Sequence, residues 1–410
     1  MLSCCACLHL AHRPSICWAI ATPIRSKTAG PRVTPARVSG FVANLFLSEL
    51  HLKRIASLAD ATTGVLHWAS LAIHAIGRGL AVAKGRQVKH AVKQVDRLLS
   101  NANIDVWALF ASWVPFVLGQ RTEAVVAMDW TDFDADDHTT LAIHLITSHG
   151  RATPLLWLTV RKSTLKDQRN AIEDKLLHRL REVVPQTVLI TVLADRGFGD
   201  QKLYEYLKEL GFDYIIRFRE AIVVTDDKDV SKPASQWVPQ NFKPRILRGA
   251  RVTQALYPVE AVVCIKDVGM KDSWCLATSR KDLSAWQVVR LYGKRFTIEE
   301  SFRDGKDIRF GLGLSQTHIS EEGRRDRLLL VCAMAVTLLT LLGAAGESMG
   351  LDRMLKVNTV KYRTHSLFNQ GTYYYQALET WSEERCIQLL IRFGELLAQQ
   401  PWCRAVFGTI

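Results

Sequence analysis

The chain has 410 residues, of which 48% are hydrophobic and 23% are charged. A chain of this composition can bury a large core, which excludes a disordered or collagen-like protein. Lysine and arginine number 53 against 40 acidic residues, so the formal net charge is +13. This charge is consistent with a polyanionic partner such as nucleic acid, but charge alone does not separate such a protein from an ordinary basic one.

The positive charge is concentrated at the N-terminal end of the chain. The first 120 residues hold 13 lysines and arginines against four acids, whereas the remaining 290 hold 40 bases and 36 acids. Such asymmetry between two parts of a chain is typical of a segment that contacts a charged partner. The alternative is a solvated basic surface on ordinary helices.

Residues 1–40 differ from the rest of the chain. They contain no acid and several prolines and show no sustained periodicity, which predicts a poorly ordered extension or an over-long start. Four of the nine cysteines lie here, and no second pair of zinc-finger spacing follows Cys4 and Cys7. The other cysteines are single, as in a cytoplasmic protein with reduced thiols.

Residues 41–120 predict a helical region, because apolar residues recur there at helical spacing. Within it, the segment Lys84–Arg97 carries six basic residues, counting its histidine, and a single acid. We expect one helix that contacts DNA phosphates through this segment. The candidate contact residues are Lys84, Arg86, Lys89 and Lys93.

The pattern from residue 121 predicts an α/β catalytic domain over 121–350, because apolar strand-like runs alternate with amphipathic helices. The predicted order is strands at Ala124–Met128, Thr140–Thr147 and Pro154–Val160, a helix at 164–184, a strand at Val188–Ala194, a helix at Gln201–Leu210 and a strand at Tyr214–Phe218. Residues at about 220–280 are rich in turns and short β-like runs and predict a strand-rich insertion. Helical periodicity then returns, and we expect residues 351–410 to form a helical C-terminal region that is a candidate for dimerisation.

One stretch, Leu328–Gly346, holds 19 residues without a charge, which is long enough to span a membrane. It is the only such run and it contains small and polar residues. A helix buried on all sides in a large core has the same composition, and we favour that interpretation.

Two predicted strands are followed by aspartate: Asp129 after Ala124–Met128, and Asp195 after Val188–Ala194. Ligands of α/β sheets collect at the carboxyl ends of strands, although aspartate at a strand end is also an ordinary turn residue. Two carboxylates that converge on neighbouring strands repel unless a cation lies between them. Oxygen ligands of this kind favour Mg²⁺ or Mn²⁺.

A predicted helix over residues 283–304 supplies a candidate third acid. At about 100° per residue, Tyr292, Arg295, Glu299 and Lys306 share an arc of about 60°, whereas Glu300 lies off that face. The geometry therefore favours Glu299 over Glu300. The alternative is an exposed Arg–Glu pair at i, i+4, and Gly305 is a possible end of the helix before Lys306.

Three histidines, His138, His144 and His149, lie close together in the sequence. Their spacing matches no zinc pattern, and strand alternation predicts that His144 and His149 lie on different faces. We therefore interpret them as strand and turn residues.

These residues resemble a known family. The spacing Tyr292-x2-Arg295-x3-Glu299-x6-Lys306 is similar to the Tyr-Arg-Glu-Lys signature of the insertion-sequence-four family of bacterial DDE transposases. The segment Asp195–Phe198 resembles the second-aspartate motif of that family, and Asp129–Thr131 resembles its first-aspartate region.

The resemblance implies a ribonuclease-H-like core with a β-rich insertion, flanked by helical N- and C-terminal regions. It implies that Asp129, Asp195 and Glu299 hold two Mg²⁺ ions. With these ions the enzyme would cut transposon ends and join the freed 3′-OH to target DNA. Tyr292, Arg295 and Lys306 would then contact the phosphates of the transferred end. The partners implied are double-stranded DNA and a second copy of the chain in a synaptic homodimer, with no membrane, in the bacterial cytoplasm.

Two alternatives remain open from the sequence. One is a metal-dependent nuclease that cuts DNA without strand transfer. The other is an inactive, DNA-binding remnant of a transposase.

Overall fold

The computed structural model describes residues 33–309 and 311–398 of the chain. Five helices come first: α1 (Pro35–Phe46), α2 (Leu52–Trp68), α3 (Ile73–Lys84), α4 (Val88–Leu99) and α5 (Val106–Leu118). Helix α1 begins inside the predicted extension, and Val38 and Phe41 are buried, so ordered structure starts before residue 40. The rest of that extension, with its four cysteines, lies outside the described residues.

An eight-stranded mixed sheet forms the centre of the α/β domain. The predicted order of elements is confirmed from β1 to β5: β1 (Glu123–Phe133), β2 (His138–Leu145), β3 (Thr153–Arg161), α6 (Arg169–Val183), β4 (Leu189–Ala194), α7 (Gln201–Glu209) and β5 (Asp213–Phe218). These five strands lie in the order β3-β2-β1-β4-β5. Strand β1 is antiparallel to β2 and parallel to β4, and β4 is parallel to β5.

The predicted insertion at about 220–280 is divided between two sheets. A small four-stranded sheet contains β6 (Val223–Thr225), β7 (Ser231–Pro233), β9 (Arg251–Val252) and β10 (Tyr257–Pro258). The strands β8 (Arg245–Arg248), β11 (Ala261–Ile265) and β12 (Trp274–Thr278) instead extend the main sheet beyond β5. The segment is strand-rich as predicted, but these three strands are part of the main sheet, because β12 pairs with β5.

The two faces of the main sheet are covered by different helices. One face, which includes Val126 and Met128, belongs to a large core that also contains residues of α5, α6 and α10. The other face, which includes Ala127 and Leu193, packs against α8 (Ala285–Gly293) and Ile298 of α9 (Thr297–Lys306). Successive residues of a strand point to opposite faces, so odd-numbered positions of β1 face α8 and α9.

The C-terminal helices are α10 (Glu322–Ser348), α11 (Leu367–Ala377) and α12 (Glu383–Ala398). By length and composition α10 could cross a membrane, but 83% of its most apolar 18-residue window is buried within the protein. It packs on α2, α11, α12 and β3. This position fits the favoured interpretation of a helix enclosed in a protein core.

Helices α10 and α11 approach closely because two glycines face each other across their contact. A Cβ at Gly343 would overlap the carbonyl oxygen of Leu367, and a Cβ at Gly371 would overlap that of Leu339. Backbone atoms cannot move aside as the end of a flexible side chain can, so both positions require glycine.

We predict that Gly343→Ala lowers the free energy of unfolding by about 1–3 kcal/mol, because the added methyl group forces the two helices apart. Urea denaturation followed by circular dichroism measures the change. The matched control is Gly323→Ala in the first turn of α10, where the nearest atoms are the guanidinium end of Arg327. The control is expected to be neutral or stabilising, and equal effects of the two substitutions would contradict the prediction.

Candidate active site

The pairing of β1 with β4 places the two predicted aspartates side by side. Met128 lies opposite Ala194 in this parallel pair, and Asp129 and Asp195 are the next residue on each strand. Neighbouring strands lie about 4.8 Å apart. Asp129 does not end its strand as predicted, because β1 continues to Phe133 and pairs with β2 from Val126 to Phe133.

Both aspartates point to the face of the sheet that α8 and α9 cover. Residues two apart on a strand point to the same face of the sheet. Asp129 is two residues after Ala127, and Asp195 is two residues after Leu193. Ala127 and Leu193 are both buried on that face. The predicted third acid, Glu299, lies in the first turn of α9. The alternation of the strands therefore brings the three predicted acids to one side of the sheet.

The helix predicted over residues 283–304 is broken. Helix α8 ends at Gly293, a 3₁₀ turn covers Lys294–Phe296, and α9 then runs from Thr297 to Lys306. Gly305 does not end α9, since the helix includes it. Because 3₁₀ turns have three residues per turn, the angles calculated for one continuous α-helix do not hold across the break.

Arg295, in the 3₁₀ turn, joins two of the acids. Its Nη1 donates to Asp129 Oδ2 at 2.9 Å and its Nη2 donates to Glu299 Oε1 at 2.5 Å. The Arg295 side chain is only 5% exposed, whereas that of Glu299 is 50% exposed. A nearly buried guanidinium thus connects the strand aspartate with the helix glutamate.

The charges of this cluster affect one another. Burial raises the pKa of Asp129 above its ordinary value, Arg295 opposes that shift, and the neighbouring carboxylate of Asp195 adds to it. Burial alone would lower the pKa of Arg295, but Asp129, Tyr292, Glu299 and Asp195 outweigh it and raise that pKa. Arg295 is therefore a permanent cation that compensates repulsion between the carboxylates.

The carboxylate of Asp195 is oriented by the turn that follows it. The backbone N–H of Gly197 donates to Asp195 Oδ1 at 2.7 Å. A Cβ at Gly197 would lie 3.0 Å from that same oxygen, which is tighter than an ordinary contact. The glycine of the Asp195–Phe198 motif therefore leaves room for the carboxylate in this orientation.

Two further signature residues occupy different surroundings. Tyr292 is 1% exposed, and its ring packs edge-on against Trp274 at 4.9 Å between centroids. Burial raises the pKa of Tyr292 to about 12. Lys306 Nζ donates to the carbonyl oxygen of Asp132 at 2.5 Å and lies over the ring of Phe133 at 4.5 Å. Burial lowers the pKa of Lys306, although Asp132 opposes the shift.

The four signature residues therefore do not form the single narrow face that was predicted. Arg295 and Glu299 lie at Asp129, and Lys306 lies three residues farther along β1, at Asp132. Tyr292 lies in α8, before the break at Lys294–Phe296. It interacts with Arg295, and its ring packs edge-on against Trp274.

The donor set of the site fits a hard divalent cation in its chemistry. Carboxylate oxygens of Asp129, Asp195 and Glu299 are the ligand type that Mg²⁺ and Mn²⁺ prefer. However, within residues 33–309 and 311–398 no three metal-ligating side chains are grouped closely enough to hold an ion. The positive charge between Asp129 and Glu299 is that of Arg295.

The predicted phosphate-contacting helix is also interrupted. Helix α3 ends at Lys84, Gly85 adopts a left-handed conformation with φ of 61°, and α4 begins at Val88. Lys84 and Arg86 both pair with Asp60 of α2, which is 5% exposed. Lys89 and Lys93 are exposed one helical turn apart on α4. Two of the four predicted residues therefore pair with an acid of the protein itself, and the other two are exposed on α4.

A cluster beside the aspartates was missed in the sequence. Trp130 Nε1 and Arg169 Nε both donate to Glu173 Oε1, at 2.8 Å and 2.9 Å. The only sequence signal was the i, i+4 spacing of Arg169 and Glu173. Such pairs are common on exposed helices, and nothing in the sequence placed this one against Trp130.

The prediction that His144 and His149 lie on different faces was wrong. Both line one mostly apolar cavity of about 80 Å³ between the sheet, α9 and α10. The pairing of β2 with β3 shifts register between Ile143 and His144, and β2 ends at Leu145, so alternation does not continue to residue 149. His144 is fully enclosed and packs edge-on against Phe302 of α9.

We predict that His144 makes the protein sensitive to acid. Burial lowers the pKa of His144 from 6.5 to about 3, so between these values the unfolded chain binds a proton that the folded chain does not. Stability therefore falls as the pH falls below 6.5, by roughly 2 kcal/mol from this residue at pH 5. His144→Leu is expected to reduce the loss of stability between pH 7 and pH 5, measured by urea denaturation.

The control is His178→Leu, since the His178 side chain is 60% exposed. An identical pH dependence of stability in wild type and in His144→Leu would show that this prediction is wrong.

These residues lie in a mixed α/β domain that directs two aspartates and a glutamate to one side of a sheet. A family profile described as "Transposase DDE domain" matches residues 120–338. The chain belongs to this transposase DDE domain family. No curated protein matches the chain.

The match begins just before β1, ends within α10 and includes all three predicted acids. Membership of the family supports a DNA-rearranging enzyme of the transposase class, with DNA as its substrate.

Proposed function

We propose that the protein is a DNA transposase of the insertion-sequence-four type, which cuts at transposon ends and joins the freed 3′-OH to target DNA. The observation that carries the proposal is the parallel register of Asp129 and Asp195 under a helix that bears Glu299. The strand order β3-β2-β1-β4-β5, with β2 antiparallel and β4 parallel to β1, supports assigning the core as ribonuclease-H-like.

Asp129, Asp195 and Glu299 are the side chains that would hold divalent cations, Mg²⁺ or Mn²⁺. When bound, two such ions activate the attacking oxygen and stabilise the leaving 3′ oxygen. The protein contributes position and charge: Gly197 orients the Asp195 carboxylate, and Arg295 places a cation beside Asp129 and Glu299. Phosphoryl transfer depends mainly on such positioning and charge compensation.

Arg295 has a second role in the proposal. Its planar fork suits a phosphate as well as it suits the two carboxylates, and its buried Nε has no partner among the described residues. Lys306 presents a single positive charge farther along β1, at Asp132. Both would contact phosphates of the transferred DNA end. Tyr292 would contribute to the same phosphate site from α8, where its ring packs edge-on against Trp274.

We further propose that the N-terminal helices hold the DNA and that two copies assemble on paired ends. Lys89 and Lys93 supply exposed positive charge on α4, and Asp96 of the same helix pairs with Arg324 of α10. This contact connects the proposed DNA-binding helix with the catalytic domain. On α12, Ile387 and Ile391 are exposed one turn apart, which supports the C-terminal region as the dimer contact. The proposed location is the bacterial cytoplasm, at the nucleoid.

The test of the proposed function starts from the DNA on both sides of the reading frame. A transposase gene is bracketed by short terminal inverted repeats, and a linear duplex that ends in such a repeat serves as the substrate. The full-length protein with Mg²⁺ is expected to cut this duplex at the repeat and to join it to a target plasmid. Cutting without joining would favour the nuclease, and binding without cutting would favour the inactive remnant.

Glu299→Gln is expected to lower end cleavage by more than about 100-fold, because it removes an anionic ligand from the site, while DNA binding persists. Single-turnover cleavage of the end duplex and fluorescence anisotropy measure the two effects. The matched control is Glu300→Gln, since Glu300 pairs with Arg151 and Arg303 instead. Cleavage retained by Glu299→Gln would overturn the triad assignment.

The double substitution Lys89→Gln, Lys93→Gln is expected to lower DNA affinity and to reduce the slope of log K against log salt by about 1.8, or about 0.9 for each phosphate contact. The control is the pair Lys208→Gln, Lys281→Gln, two exposed lysines outside the N-terminal helices, in α7 and after β12. An equal change of slope in both double variants would show that Lys89 and Lys93 of α4 do not form the DNA-binding surface.

A further inference from the structure

We propose that Arg169 is a phosphate-binding residue of the active site, which contacts the DNA backbone beside the two aspartates. The proposal rests on the function proposed above. It adds a phosphodiester subsite that the Tyr-Arg-Glu-Lys signature does not contain, carried by helix α6 on the opposite face of the sheet from α9.

Arg169 lies between the two aspartate motifs. It is the first residue of α6, and its guanidinium carbon lies 5.4 Å from the ring centroid of Trp130 and 5.5 Å from that of Phe198. Trp130 directly follows Asp129, and Phe198 closes the motif that begins at Asp195. The cation is therefore held at the edge of the sheet where both aspartates lie.

The guanidinium also approaches the carboxylate of Asp195. The position that a Cβ on Gly197 would occupy lies 3.7 Å from Arg169 Nη2 and 3.0 Å from Asp195 Oδ1. Arg169 Nη2 and Asp195 Oδ1 therefore both lie close to Gly197. A phosphate bound to the arginine fork would lie beside the carboxylate of Asp195.

The contacts of Arg169 orient its free edge outward. Glu173, which is 5% exposed, accepts from Arg169 Nε at 2.9 Å and from Trp130 Nε1 at 2.8 Å. The Arg169 side chain is 44% exposed, and across the described ranges 33–309 and 311–398 no protein acceptor contacts either Nη group. A salt bridge that only fixed α6 to the sheet would not need an exposed pair of N–H donors.

This arrangement matches the chemistry of phosphate recognition. A guanidinium presents two parallel donors to two phosphate oxygens, and stacking on aromatic rings limits its freedom before the ligand binds. Glu173 both orients Arg169 and reduces its net charge. Removing the charge of Glu173 while keeping its acceptor oxygen should therefore strengthen phosphate binding, which is opposite in sign to removing Arg169.

The test measures DNA binding apart from cleavage. Anisotropy with the full-length protein and the end duplex, in a chelator and without Mg²⁺, gives affinity across a salt series. Arg169→Gln is expected to reduce the salt slope by about 0.9, the value for one phosphate contact. Arg169→Lys should keep the slope, because the charge remains, and should cut the duplex at least about tenfold more slowly in Mg²⁺, because the fork is lost.

The matched control is Arg181→Gln, about 18 Å along the same helix at 1.5 Å per residue. Arg181 also lies over an aromatic ring, that of Phe212 at 5.5 Å, but far from the aspartates. It is expected to leave the salt slope unchanged. Thermal unfolding of each variant shows whether it folds.

An unchanged slope in folded Arg169→Gln overturns the subsite, whether or not the duplex is cut. If Arg169→Gln reduces the salt slope but the wild-type protein does not cut the duplex, the phosphate subsite is supported and the proposed transposase activity is wrong. If Arg169→Gln does not fold, the subsite is tested with Arg169→Lys and Glu173→Gln instead. Slower cleavage by the first and at least about twofold tighter binding by the second support the subsite, and the absence of both overturns it.

Discussion

The register between β1 and β4 is the constraint on which the rest of the site depends. It places two carboxylates on adjacent strands at the same level and on the same face, where they repel. Some positive charge must lie beside them. In this protein Arg295 supplies it, and the 3₁₀ turn at Lys294–Phe296 is the local structure that carries that guanidinium.

That compensation makes the surrounding helices interdependent. Arg295 is held by Asp129 and Glu299, and α9 is joined to the loop between β2 and β3 by the pair Arg151–Asp304 and by Ser301, which donates to the carbonyl oxygen of Ala152. On the other face, Glu173 fixes Arg169 over Trp130. Cations therefore lie near the aspartates from both faces of the sheet, and each is held by a carboxylate four residues farther along the chain.

Much of the fold was predictable because its signals are local. The apolar run Val188–Ala194 and the order of strands and helices around it follow from the hydrophobic pattern of the sequence. The end of β1 was not predictable, since the strand continues past Met128 as a polar segment that pairs with β2. Likewise, no local signal showed that β11 and β12 would join the main sheet, because that depends on an edge left open by β5.

For the site, residue identity was easier to predict than geometry. Asp129, Asp195 and Glu299 could be selected from strand position and helical spacing. The break before Thr297 could not, because Lys294, Arg295 and Phe296 are all compatible with a regular helix. Arg169 could not be selected either, since its tertiary contacts are with two motifs more than 25 residues away in the sequence.

The division of the chain into a basic helical region, a catalytic domain and a C-terminal region does not correspond to separate cores. Arg37 of α1 donates to the carbonyl oxygen of Leu390 in α12, and His67 of α2 contacts the Tyr375 hydroxyl of α11. Residues of these helices share one continuous core with α10. During synthesis, the first helices therefore lack their packing partners until the last ones have left the ribosome, so the order of translation delays completion of the core on which DNA would be held.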